Sequence, residues 1–397
     1  MQPLGPPVLA LGVAQIVSWG SLFYSIGVLG PAMSRDVGVS EVYLFGAFTA
    51  GLLVSGAAAP LSGRLVDRRG GRFVLAVGSV TGAVAMGVLA LATHPATLLL
   101  GWLVAGAAMS ACLYDTAFAT LSQHASAVAY RRAVTVLTIL GGFASTVFWP
   151  LSQVLMDAWG WRAALGAYAG LHLLLCLPIH LVVVPRAHAH PAGARATQPA
   201  ESPRARPGLA LLNASFVAAS FVSAVVAVHV VSLLVAQGLT QTQAVSVAML
   251  IGPMQVAGRI AEFGFASRLG VRSLGVITFG LFGVAFVALL ATRGLGAAAI
   301  AFVVAFGCAN GLFTIIRGTT PMELYGREGL GMLLGYLASA SLFARALAPA
   351  CFSGMLALGL MRNAALAILG ATALGGLASY LAAERVARAA RGRREGD

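Results

Sequence analysis

Long apolar runs separated by short polar ones fill this chain from end to end. Twelve runs are read at 8–33, 42–62, 73–92, 97–121, 133–156, 162–184, 209–236, 242–265, 273–292, 296–319, 329–353 and 364–383. Each is close to the ~20 residues a helix needs to cross a hydrocarbon layer about 30 Å thick. Inside a bilayer every backbone N–H and C=O must be satisfied within the structure, so the runs are predicted as membrane-spanning α-helices. The expected fold class is an all-α membrane protein with twelve transmembrane helices.

One segment breaks the pattern. Residues 185–207 read PRAHAHPAGARATQPAESPRARP, rich in Pro, Ala and Arg with no apolar period. This composition predicts a flexible linker. His188 and His190 within it are read as solvated rather than metal-ligating. The linker divides six runs from six, which sets a bundle over 1–184, a second over 208–384 and a basic tail over 385–397. The halves echo each other: Ser267-Arg268-Leu269-Gly270-Val271-Arg272 repeats the Arg-x-Gly-x-Arg frame of Asp67-Arg68-Arg69-Gly70-Gly71-Arg72.

An even number of crossings puts both termini on one side. Alternating the loops places eighteen arginines on the side of the termini and four, Arg35, Arg162, Arg293 and Arg362, on the other. Basic loops stay cytoplasmic, so the linker and both termini are expected in the cytoplasm. Trp159 and Trp161 fall in a predicted short outside loop, where an aromatic belt is expected.

Composition agrees with the pattern. Apolar residues make up 59% of the chain, charged residues 9%, and mean hydropathy is +0.90. Soluble domains carry about 25% charged residues, so this chain is expected in lipid. The formal charge is +13, and all 25 basic residues are arginine. In a membrane protein that excess reads as loop orientation, not as a nucleic-acid partner. Cys112, Cys176, Cys308 and Cys351 all lie in apolar runs, without metal-ligand spacing. The first run is long enough to span and is read as a retained helix, not a signal peptide. The expected location is the inner (cytoplasmic) membrane of a bacterium.

The decapeptide Gly63-Arg64-Leu65-Val66-Asp67-Arg68-Arg69-Gly70-Gly71-Arg72 joins the second and third runs, and is read as a tight cationic turn. Gly63, Asp67, Arg68, Gly70 and Arg72 fill the pattern G-x-x-x-D-(R/K)-x-G-x-(R/K). This resembles the loop signature of the major facilitator superfamily, in residue type, spacing and position. The resemblance implies two six-helix pseudo-repeats with a substrate site at mid-membrane between them. It implies a secondary transporter, with no enzymatic activity and no cofactor. A monomer is expected.

Two further segments resemble one branch of that superfamily. Tyr130-Arg131-Arg132-Ala133 followed by Gly141-Gly142 is similar to the start of the fifth span in monocarboxylate transporters. Gln255-Val256-Ala257-Gly258-Arg259 is similar to their eighth span, whose buried arginine binds carboxylate. Bacterial oxalate/formate antiporters resemble the layout of Arg259 in the eighth span and Arg345 in the eleventh. The chain departs from the animal family at Gln255, where an acid is expected, and in having no lysine. The fourth span has no arginine, and Gly141 to Pro150 fits poorly the signature of proton-coupled drug exporters.

Ionisable residues inside a bilayer are costly, about 2.5–3.5 kcal/mol each on insertion scales, so each asks for a reason. Arg345, mid-way along the eleventh span, offers a planar fork suited to a carboxylate. A structural arginine paired with an acid is the competing reading. Arg259 is the second anion ligand, with Glu262 at i+3 near enough to pair with it instead. Arg317 reads as snorkelling to the membrane surface. Asp115, with Glu262 behind it, is the expected proton carrier, set against a role as partner to an arginine or helix end. His229 offers substrate bonding or packing. Ser21, Tyr24 and Asn310 are the polar side chains expected to complete a substrate cavity. Gly51, Ser55, Ala59, Gly307 and Gly311 read as close helix packing.

The sequence therefore predicts alternating-access transport of a small organic anion, a mono- or dicarboxylate, with protons as possible co-substrates. Efflux of drugs or toxic compounds is the rival within the same fold. A non-transporting membrane sensor is the remote alternative.

Overall fold

A computed structural model of the chain describes residues 5–186, 206–265 and 269–396. Among the described residues every regular element is helical. Among the described residues eleven helices are long and apolar enough to cross a membrane. One of them, Val128–Val183, has 56 residues, about twice what one crossing needs. It turns back at Gly160, whose φ of 81° and ψ of 165° lie outside the helical region. A side chain rarely adopts that φ, so glycine suits the bend. The crossings are then α1 (Gly5–Val37), α2 (Glu41–Arg69), α3 (Gly71–Ala90), α4 (Pro95–Ser122), α5 (128–159), α6 (161–183), α7 (Leu209–Ala236), α8 (Gln241–Gly264), α9 (Val271–Ala291), α10 (Ala297–Tyr325), α11 (Leu330–Ala357) and α12 (Arg362–Gly396).

Three expectations change at the helix ends. The outside loop predicted between the fifth and sixth runs shrinks to the bend at Gly160. Trp161 there is buried, not part of an exposed belt. Its indole N–H donates to Asp36 (3.2 Å), and Arg162 stacks on its ring (4.1 Å), pairs with Asp36 and bonds the Ala92 carbonyl (2.9 Å). The ends of α1, α3 and α6 are tied together by this cluster. The predicted tight turn at 63–72 is mostly helix, because α2 runs on to Arg69 and only Gly70 (φ 84°) turns. The predicted tail is helical through Gly396. Alanine-rich sequence favours continuation, and Glu384 bonds Arg388 one turn on (3.4 Å).

The chain packs as two compact units. The first holds α1–α6 and residues 327–339 at the start of α11; the second holds α7–α10, the rest of α11 and α12. Within the first unit, α2 and α3 pack on α4, and α1 packs on α5. Within the second, α8 and α9 pack on α10, and α12 packs on α7 and α9. Small residues permit the closest of these contacts. A Cβ at Gly51 would strike the Trp102 carbonyl, and one at Gly311 would strike the Gln255 carbonyl. The largest fully buried side chains of the second unit are mostly phenylalanine, including Phe279, Phe282, Phe302 and Phe313. Most of the predicted linker, with His188 and His190, lies outside the described residues, as do Ser267 and Arg268.

Candidate functional site

In the second unit, close packing places the first arginine. Gly307 and Gly311 let α10 lie on the backbone of α8 at Ile251 and Gln255. Arg259, 5% exposed, then lies along α10. Its Nε donates to the Gly311 carbonyl and its Nη2 to Thr314 Oγ1, both at 3.4 Å. Thr314 Oγ1 donates in turn to the Asn310 carbonyl (3.3 Å). Arg259 and the Asn310 turn are thus brought together. Both of these bonds are long. Glu262 is buried on the same helix, 3% exposed.

Arg345 is half-buried in the middle of α11. Pro349, one turn later, has no N–H to offer the Arg345 carbonyl. His229 on α7 reaches this turn: its Nε2 lies 3.4 Å from the Pro349 carbonyl and 3.5 Å from Ser353 Oγ. Its ring lies 5.1 Å from that of Phe352. His229 and Arg345 therefore address neighbouring turns of one helix. The second unit thus carries two intramembrane guanidinium groups, a histidine and an amide side chain, a set suited to an oxyanion.

The first unit is built differently. Helix α1 contains a π-turn, Gly20–Tyr24, which is a common distortion at functional sites. Ser21 in that turn is fully buried. Its hydroxyl donates to the Val17 carbonyl (2.7 Å), leaving the oxygen to accept from His172 Nε2 at 2.8 Å on α6. His180, two turns further along α6, bonds Ser79 Oγ through Nδ1 (2.8 Å). The signal for this buried pair in the sequence is two histidines eight residues apart in one apolar run.

Helix α4 is interrupted at Leu113 (φ −84°, ψ −171°) and restarts at Tyr114. Broken helices in a membrane must have their freed carbonyls satisfied by neighbours. Here Thr116 Oγ1 donates to Ser110 O (2.8 Å), and buried Gln15 donates to Cys112 O (2.7 Å). Asp115, half-buried, stands in the first turn of the restarted helix. The positive helix end there favours a carboxylate. Tyr24 sits with Trp19 and Trp149 in a ring cluster, at 6.3 and 6.2 Å between centroids.

The signature residues also belong to the first unit. Gly63 packs on the Gly331 carbonyl, where a Cβ would collide with backbone. One turn on, Asp67 accepts from the N–H groups of Gly331 (2.9 Å) and Met332 (2.8 Å). These are among the first amides of α11, which have no partner within their own helix. Arg64 Nε reaches Met332 Sδ (3.3 Å), and Arg327 bonds the Ala125 carbonyl. Arg68 and Arg69 close the last turn of α2, Gly70 makes the turn and Arg72 begins α3. At the matching position of the repeat, Gly270 has φ −65° and caps α9. Arg272 pairs with Glu384 (3.3 Å). The repeated motif is therefore used differently in the two halves.

Comparison with known proteins yields a family model, described as Major Facilitator Superfamily, that matches residues 11–349. Among curated proteins, human monocarboxylate transporter 11 is 34% identical over 197 residues, 46% of this chain and 41% of its own length. The multidrug resistance protein MdtL of Klebsiella pneumoniae is 30% identical over 172 residues, 42% of each chain. An uncharacterised 38 kDa protein of Thermoproteus tenax is 31% identical over 169 residues, 42% of this chain and 44% of its own. This chain thus spans about two fifths of the length of these relatives. Among solved structures, the proton:xylose symporter XylE superposes with TM-score 0.72 at 12% identity, covering 93% of this chain and 94% of that one. The E. coli fucose:proton symporter FucP also scores 0.72 at 12% identity, covering 98% and 99%. The human organic anion transporter MFSD10 scores 0.66 at 17% identity, covering 96% and 100%. At these identities the likeness shows the fold.

Proposed function

The chain belongs to the Major Facilitator Superfamily, and we propose that this membrane transporter moves a small organic anion, a mono- or dicarboxylate, by alternating access. The observation that carries the reading is the pair of guanidinium groups within the spans of the second unit, Arg259 in α8 and Arg345 in α11. A charged residue at this depth is costly unless a partner or a substrate repays the desolvation. Thr314 beside Arg259, with Asn310 one turn earlier on α10, and His229 beside the Arg345 turn are residues able to donate hydrogen bonds of the kind a carboxylate needs. The local match to monocarboxylate transporter 11 supports the same class. In this reading Asp115 carries the coupled proton, with Glu262 as the alternative. The protein sits in a bacterial inner membrane with both termini in the cytoplasm.

A second reading, drug or toxic-compound efflux, has its own support in the match to MdtL and in the half-buried Asp115 beside Tyr114. Thermal unfolding of the purified protein separates the two. A ligand at about 100 times its Kd stabilises the folded state by about 2.7 kcal/mol. Carboxylates should raise the Tm and cationic drugs should not. Stabilisation by cationic drugs alone would reject the anion reading.

A further inference from the structure

Five aromatic rings of the first unit converge from three helices. Trp19 of α1 lies 5.1 Å from Tyr114 of α4 and 5.3 Å from Phe23. Tyr24 lies 6.2 Å from Trp149 of α5, edge to face at 90°. Ring clusters often mean core packing, and Tyr114 is itself buried and stacked on the core ring of Phe118 at 5.5 Å. The other four differ from the core rings of the same unit: Trp102, Phe118, Phe148 and Tyr168 are fully buried, whereas Trp149 is 52% exposed, and Trp19, Phe23 and Tyr24 are half-buried.

The backbone is distorted at each contributing helix. The α1 π-turn carries Phe23 and Tyr24, and the α4 interruption at Leu113 immediately precedes Tyr114. On α5, Trp149 stands between Phe143, a turn of helical dihedrals that separates two helical stretches, and Pro150. Core packing does not require three helices to lose regularity around one set of side chains. Such distortions cost backbone hydrogen bonds; π-turns recur at functional sites, and membrane helices tolerate irregular backbone where it is buried in protein or lines a cavity. The Trp19 Nε1–H, like that of the core ring Trp102, is buried with no hydrogen-bond acceptor among the described residues. A donor of that kind normally finds a partner when buried.

We propose that this cluster holds the flat, apolar body of the substrate, so that the transported anion is an aryl carboxylate rather than a compact acid of formate or oxalate size. The word carboxylate rests on the anion reading above; the ring preference does not.

The test is equilibrium binding to the purified full-length protein, with 2-naphthoate and acetate as matched monoanions and a naphthylmethylammonium salt as the cationic counterpart. Stacking on several rings adds to apolar burial, so naphthoate should bind at least about tenfold more tightly than acetate. Tyr24→Ala and Trp149→Ala should each remove most of that preference, and Trp149→Ala should do so while leaving acetate binding within about twofold. Retained acetate binding shows that Trp149→Ala is folded, and an unchanged unfolding midpoint shows it for Tyr24→Ala. Naphthoate should also quench tryptophan fluorescence, and Trp149→Phe should reduce the quenching. Equal affinity for naphthoate and acetate, or a preference that survives both alanine variants, overturns the ring assignment and leaves the anion reading standing. Preference for the naphthyl cation, dependent on Tyr24 and Trp149 and with no carboxylate bound, upholds the ring assignment and overturns the anion reading.

Discussion

Replacing Asp67 by Asn should loosen one helix end by an amount that the geometry sets. Asp67 accepts two backbone hydrogen bonds, from Gly331 at 2.9 Å and Met332 at 2.8 Å. The first bond within α11 that joins residues four apart is Leu333 N–H to Gly329 O at 3.1 Å. Gly331 and Met332 are therefore the second and third helical positions, the ones an N-cap side chain normally serves. Here the cap comes from another helix. Asparagine keeps one acceptor oxygen and turns an N–H₂ toward the second donor, so one bond is lost and a donor–donor repulsion begins. Losing an N-cap costs about 0.5–2 kcal/mol, and the side chain's exposure argues against the higher values of buried charge pairs. At about 1–2 kcal/mol the opening equilibrium shifts roughly 5- to 30-fold. Hydrogen–deuterium exchange followed by mass spectrometry reads this directly. The peptide covering 327–339 should exchange faster by that factor, while peptides within α9 and α10 stay unchanged. Asp67→Asn exchanging at the parent rate would show that the carboxylate is not the cap. The same variant should transport more slowly, with substrate affinity largely retained.

Three more expectations follow from other residues. Arg345→Ala and Arg259→Ala should each weaken anion binding about tenfold or more, because a hydrogen bond to a charged group contributes about 1.5–3 kcal/mol; Arg345→Lys should restore it only in part, since a point charge replaces a fork. Unchanged affinity in both alanine variants, measured by titration calorimetry, removes the arginines from the site. Asp115→Asn should abolish uptake driven by a pH gradient while exchange of labelled for unlabelled substrate persists; surviving gradient-driven uptake removes Asp115 from the mechanism and leaves Glu262 or His229, or a uniport with no proton. Ala196→Cys, in the predicted linker, should resist an impermeant thiol reagent applied to intact cells; ready labelling would reverse the assigned orientation.

Crossings, their approximate ends and the family were all legible in the chain. They depend on local composition: an apolar run of about 20 residues has one stable state in a bilayer, and Gly63 to Arg72 carries its signature in contiguous residues. Helix continuation was less legible, because α2 through Arg69 and α12 through Gly396 run past the apolar runs on helix propensity and local pairing. What the tertiary structure alone decided is which side chains meet. The partner of Asp67 lies 264 residues away at Gly331. Ser21 is bonded to His172 across 151 residues. Arg259 is laid along α10 because glycines stand at 307 and 311 on the facing helix. The convergence of Trp19, Tyr24, Tyr114 and Trp149 depends on a π-turn and a helix break that no apolar count contains. Hydrophobicity determines that a segment crosses, since lipid treats every apolar face alike. Rotation and depth are set by close packing and by hydrogen bonds between helices, and those belong to pairs of segments rather than to either one.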